Sequence, residues 1–321
     1  MNQSTLNPMI ATSLAILLLV GAGCTSGRLE RPPVTEDLTK ANTTQIPLGE
    51  GNKVLGEVKG TDFDQPGEVM ITDVGNFGYE PANVRTVRPD LFRDGHFSVF
   101  DILVHLHERG DIQMVYHLDE DMDTHVIDTI NGESSWWTQA YYDGGWPENN
   151  VYRMDHYPHK DRMYVRLYHQ RPEVLERIYA TFRAEVARKR ANNGTVIVPD
   201  VIIRGPTADL RFINVPITPH DLRTDTFRKG TITAIDVIMS LGDLGRLTYD
   251  LKWYDSIGAA GIVRSYWVHR IDKDESYSTC GFVYEAGEPE FDGFRGNHIH
   301  IPTDTRIITS PAYVEFFWIC L

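Results

Sequence analysis

Apolar residues recur at helical spacing in three stretches of this chain and at alternate positions in several others. Val99, Ile102, Leu103 and Leu106 make an i, i+3, i+4, i+7 stripe, with Ser98 placed to cap it and Gly110 to end it. Ile235, Ile238 and Met239 repeat that stripe behind Thr233, and Gly245 stops it. Val174, Ile178, Phe182 and Val186 share one face of a third helix, which Pro172 opens and Gly194 closes. Its last turn holds Arg188, Lys189 and Arg190, where cations complement the helix dipole. Alternation and β-rich composition predict strands over 68–74, 125–130, 136–142, 163–168 and 313–318, with a tight turn at Asn131-Gly132.

Much of this pattern occurs twice. Residues 92–103 return as 227–238, an offset of 135 that Gly110 and Gly245 keep. Upstream, 67–74 reads like 194–201, an offset of 127. Downstream, Tyr142-Asp143-Gly144-Gly145 reads like Tyr284-Glu285-Ala286-Gly287, and His156-Tyr157-Pro158 like His300-Ile301-Pro302. Loop insertions between fixed elements account for the drift. Each copy is strands, one helix, then more strands: a small α+β sheet under a single covering helix, which points to a β-grasp fold. The expected architecture is α+β, two tandem β-grasp-like domains joined by an amphipathic helix. Its parts are an N-terminal signal or anchor at 1–24, a flexible tether at 25–62, domain 1 at 63–170, the linker helix at 171–193 and domain 2 at 194–321.

Ser98-Val99-Phe100-Asp101-Ile102-Leu103, Ile130-Asn131-Gly132 with Trp136-Trp137, Tyr142-Asp143-Gly144-Gly145 and the closing aromatic strand carry a resemblance. The chain resembles the transcobalamin C-terminal-like β-grasp domains of bacterial surface proteins, clearly over 65–170 and more weakly in the second copy. In the animal namesake such a domain helps enclose cobalamin. The shared residues are turn and core positions, so the resemblance implies fold and transfers no ligand contact.

The N-terminus adds location. Residues 9–23 are an uncharged apolar run ending in small residues before Cys24, too short for a membrane span and suited to a signal-peptide core. It resembles a bacterial lipobox with Cys24 as the lipidated residue. No Lys or Arg precedes the run and Gly21 stands where Leu is usual, so a retained anchor and simple secretion stay open. All three place the domains outside the cytoplasm, in the periplasm or at the cell surface. Cys280 and Cys320 then form either a disulfide within the second copy or two buried thiols. A net charge of −14 leaves no electrostatic footprint for nucleic acid.

Candidate chemistry is sparse. His298 and His300 share one face of a strand and His156 holds the matching place in copy one, a candidate Zn or Cu set lacking an identified third ligand. The acidic run 119–123 has the oxygens of a calcium loop without its glycine and glutamate. Trp136, Trp137, Tyr141, Tyr142 and Trp146 cluster, and alternation sets one of the tryptophan pair in the core and the other outside, a candidate surface for a protein or glycan. No nucleophile–base motif, phosphate loop or HExxH occurs, so catalysis has no positive sign. The expected function is a non-enzymatic, membrane-anchored accessory protein that docks on a partner protein or membrane complex and carries no cofactor. Capture of cobalamin or another cofactor between the domains, and glycan binding at a cell surface, are the alternatives.

Overall fold

Two short strands lead the chain, β1 (Val34–Asp37) and β2 (Lys53–Leu55). The first half supplies β3 (Gly67–Ile71), β4 (Gly75–Tyr79), α1 (Val99–Arg109), β5 (Met114–Asp119), β6 (Thr124–Ile130), β7 (Trp136–Tyr141) and β8 (Tyr164–His169). Helix α2 (Pro172–Ala191) leads to the second half: β9 (Val196–Arg204), β10 (Asp209–Ile217), α3 (Ile235–Asp243), β11 (Tyr249–Tyr254), β12 (Ser265–Ile271), β13 (Asp274–Glu275), β14 (Cys280–Gly287) and β15 (Tyr313–Cys320). This computed structural model describes residues 34–39, 51–59, 65–143, 151–257, 261–288 and 301–320. The class is α+β, dominated by sheet, with three α-helices among the described residues.

Local chemistry starts the two core helices alike in part. The Ser98 hydroxyl accepts from the Asp101 amide while the Asp101 carboxylate accepts from the Ser98 amide, a complete capping box. Thr233 donates both its amide and its hydroxyl to Asp236 at the matching positions, but its hydroxyl accepts no amide and Ala234 precedes α3, so Thr233 is not the side-chain cap its sequence position suggests. Gly110, in the left-handed region, closes α1. Val99, Ile102, Leu103 and Leu106 are fully buried against the first sheet, as are Ile235, Ile238 and Leu241 against the second. Each such side chain contributes roughly 1.5–3 kcal/mol of burial.

Sheet topology runs in parallel in the two halves. The first sheet has the order β4-β3-β8-β7, and the second contains β10-β9-β15-β14. In both, the two central strands are parallel and the outer pairs antiparallel. Registers correct the strand matches read from sequence. Val69 and Ile71 pair with Val165 and Leu167, whereas Val201 and Ile203 pair with Val314 and Phe316. Val69 and Ile71 therefore correspond to Val201 and Ile203, not to Val196 and Val198. Ser98 bridges Pro158 and Thr233 bridges Ile307, so Pro158 corresponds to Ile307 rather than to Pro302. Ala140 and Ala286, facing Val165 and Val314, replace the Tyr142–Tyr284 match. Apolar alternation looks alike at many registers, and only the ladder selects one.

The segment expected as a flexible tether is structured in part. β1 adds to β10 and β2 to β11, both parallel, so the chain straps the second half before it builds the first. Arg270 donates to the Gly51 carbonyl (2.7 Å) and the Asn52 side chain accepts from the Tyr249 amide (3.0 Å), fixing the β2 register.

The halves meet at a self-complementary contact. Phe92 bridges Phe227, flanked by the Arg93 amide donating to Thr226 O (3.0 Å) and the Arg228 amide donating to Leu91 O (2.8 Å). The side chain of Arg93 reaches Thr224 O (2.6 Å), and that of Arg228 reaches Pro89 O (3.1 Å). All of these residues are related by the offset of 135, which gives a local pseudo-twofold like that of an isologous dimer. Phe92, Phe227 and Ile307 fill its centre. Beside it, buried Arg88 binds Asp90 and Asp155, and buried Arg223 binds Asp225 and Asp304.

Candidate docking site

The β5–β6 ribbon is where the halves differ most in what they expose. β11, the counterpart of β5, lies between β12 and β2, whereas β5 pairs with β6 alone among the described strands. The correspondence is close: both strands lie 135 positions apart, and the ladder shifts after the second residue in each, at Val115/Tyr116 and at Asp250/Leu251. Asp250 is 8% exposed and accepts two hydrogen bonds from Arg270 (2.8 and 2.9 Å). Val115 stands in its place 59% exposed, with Thr129 opposite instead of an arginine. Trp253 is buried under Tyr266, while its counterpart Leu118 is 49% exposed. Met114 is buried, and Tyr116 packs edge-on against Phe100 (5.3 Å), so the strand is held from beneath. Its second edge pairs with no strand among the described residues, and Val115 and Leu118, on opposite faces by alternation, are both exposed, a combination that monomeric proteins normally blunt.

A groove of about 470 Å³ continues this edge, lined by Leu118, Glu120, Asp123, Val186, Lys189 and Arg190. α2 supplies its basic wall, because its last turn carries the cations. Arg190 donates to Asp121 (2.6 Å) and to Glu120 O (2.9 Å). The run at 119–123 is engaged by protein groups. Asp119 Oδ1 accepts from the amides of Asp121 (2.9 Å) and Met122 (3.1 Å), and Asp123 pairs with Arg88 (2.9 Å).

The aromatic cluster proves to be interior. Trp136 and Trp137 are both buried, correcting the expectation that one is exposed. Trp136 donates to Glu133 O (2.7 Å) and lies over His169; Trp137 meets Tyr179 and Phe182 of α2, which covers the second face of the strand. Tyr142 is buried and donates to Pro158 O (2.8 Å), while half-buried Tyr141 stacks on Tyr164. Trp146 lies outside the described residues, as do Cys24, His298 and His300.

His156 is buried, with Arg88 Nη1 donating to its Nε2 (2.9 Å). Burial pushes its pKa down to about 4, so the ring is neutral at pH 7. A guanidinium on that nitrogen leaves no approach there for a metal ion. Adjacent Asp155 is raised by burial, but His125, His156 and Arg88 together hold it well below the ordinary carboxylate range. Among the described residues no group of three or more His, Cys, Asp or Glu could hold a metal. No helix among them is long and apolar enough to cross a membrane.

Cys280 and Cys320 are disulfide-bonded and stand directly opposite each other at the end of the β14–β15 ladder. A second cavity, of about 260 Å³, is lined by Glu68, Tyr79, His159 and Arg162, with Tyr79 Oη and His159 Nδ1 3.3 Å apart. Sequence reading passed over it, because the residues come from distant strands and a loop. The repeat flags the difference at this strand, since Val115 and Leu118 stand where the second copy has Asp250 and Trp253, but not which edge is open. Searches against protein-family models, curated proteins and solved structures find no match to this chain.

Proposed function

We propose that this chain is a non-enzymatic, extracytoplasmic, membrane-anchored accessory protein that docks on a partner protein or membrane complex through the open edge of its first half. One observation carries the reading: Val115 and Leu118 are exposed on a strand that pairs on one edge alone among the described residues, whereas its counterpart in the second half is paired on both. The two halves are read as tandem β-grasp-like domains of transcobalamin C-terminal-like type, fused about a pseudo-twofold. Cys24 is the lipid attachment point, and the Cys280–Cys320 bond fits an oxidising compartment. The filled contact around Phe92, Phe227 and Ile307 favours docking over capture of a cofactor between the halves.

The test is affinity purification from solubilised membranes, comparing the natural chain with a Val115→Asp, Leu118→Asp variant. A stoichiometric partner that is lost in the variant supports the reading. A partner retained equally by both chains, or none with either, overturns it.

A further inference from the structure

We infer that β5 accepts a parallel, extended segment of the partner, apolar at its centre and carrying a lysine or arginine about four residues beyond its last paired position. This deepens the docking function above and rests on it. The pseudo-symmetry supplies the template. On β11, Lys53, Val54 and Leu55 pair in parallel with Asp250, Leu251 and Lys252. Four residues on, Lys59 pairs with Asp255 (2.6 Å), the acidic residue that follows the strand. On β5 the corresponding ladder positions are Val115, Tyr116 and His117, and the corresponding acid is Glu120. Glu120 is exposed, and its carboxylate has no ion-pair partner among the described residues. The first half therefore repeats both receiving elements of the strap site, an open edge and an acid beyond it, and among the described residues no strand takes the edge and no side chain is ion-paired to the acid.

The occupant is foreign for two reasons. The chain's own strap is anchored by Arg270 on Gly51 and by the Tyr249 amide on Asn52. At the matching places β5 has Thr129, and a Met114 amide that already donates to His107 Nδ1 (3.2 Å). A second copy pairing β5 against β5 would run antiparallel and bring the acidic turn at 119–121 of each chain toward Asp111 of the other. With net charge −14 on each copy, that contact is repelled, whereas a basic segment is attracted. Addition of a strand draws affinity from main-chain hydrogen bonds and selectivity from the flanking side chains.

The probe is a synthetic peptide of residues 53–59, which keeps the pairing positions and the terminal lysine and omits the Gly51 and Asn52 anchors that β5 cannot receive, titrated into the full chain, whose own strap already covers β11. Binding is followed by backbone NMR shifts and amide exchange. The expected result is protection of amides within Val115, Tyr116 and His117, loss of binding in Val115→Lys, which sets a lysine opposite Lys53 of the peptide where β11 has Asp250, and two- to fivefold weaker binding in Glu120→Gln, as for an exposed ion pair. A peptide ending in glutamate in place of its last lysine should bind more weakly still. No protection on β5, protection confined to β11, or equal binding of the lysine and glutamate peptides overturns the inference. A partner lost on mutating Val115 and Leu118 while this peptide fails would refute the strand mode and leave the docking function standing.

Discussion

The cross-strand disulfide offers the sharpest quantitative test. Cys280 and Cys320 close a loop of sequence separation 40 and tie the last strand, β15, to its neighbour. Chain-entropy arithmetic for a loop of that length gives about 4 kcal/mol of stabilisation at room temperature, acting mainly by restricting the unfolded chain. A Cys280→Ser, Cys320→Ser variant removes the crosslink without emptying the core, since Cys320 lies at the exposed end of its strand. Urea unfolding followed by circular dichroism should show the variant less stable by about 4 kcal/mol, and the natural chain should match it once reduced. A thiol titration of the unreduced, denatured protein separates the crosslinked pair from the free one. Two reactive thiols from this pair, or a stability loss below about 1 kcal/mol, would refute the reasoning.

Further outcomes follow from buried charge and close contacts. Lys160 is buried, its Nζ donating to Val263 O and Ser265 Oγ, and burial together with Arg223 lowers its pKa to about 7. The unfolded chain then binds the extra proton between about pH 7 and 10.5, so that stability is present above the unfolded value and lost as pH falls through this window. Lys160→Met should accordingly gain roughly 3 kcal/mol on the natural chain between pH 10 and pH 7; a constant difference would count against it. Burial also lowers His156 and His159, to about 4 and about 3, so each contributes stability present above pH 6.5 and lost as pH falls toward the folded value. At pH 5 the loss is about 2 kcal/mol per ring, opposed in part by His220, which Asp236 and Asp243 raise against its burial; a urea midpoint unchanged between pH 7 and 5 would refute this. A Cβ on Gly67 would stand 2.2 Å from Tyr79 Cζ, so Gly67→Ala should displace the ring from His159 and cost about 1–3 kcal/mol by overpacking, measurable by thermal melting.

What could be read before folding was local. The stripes of Val99, Ile102, Leu103 and Leu106, the Ser98 cap, the Thr233–Asp236 contact and the Asn131-Gly132 turn each depend on residues within one or two turns of chain. The turn is built with both residues at positive φ and reciprocal hydrogen bonds between Ile130 and Glu133. The open β5 edge was half legible, because the offset of 135 sets Val115 and Leu118 against Asp250 and Trp253, yet nothing in the sequence shows that β2 covers one strand and leaves the other open.

The sequence by itself determined the class, the helix starts, the second copy of the helical motif and the net charge of −14. Only the tertiary structure decided which strands are neighbours, that 34–37 and 53–55 serve the second half rather than hang free, and that Trp136 and Trp137 are both interior. The physical reason is range. Helix periodicity and caps are short-range and survive in any context, whereas strand register and burial arise when distant segments compete for the same edge or face. α2 won the outer face of Trp137, β2 won the edge of β11, and among the described residues no segment took the edge of β5.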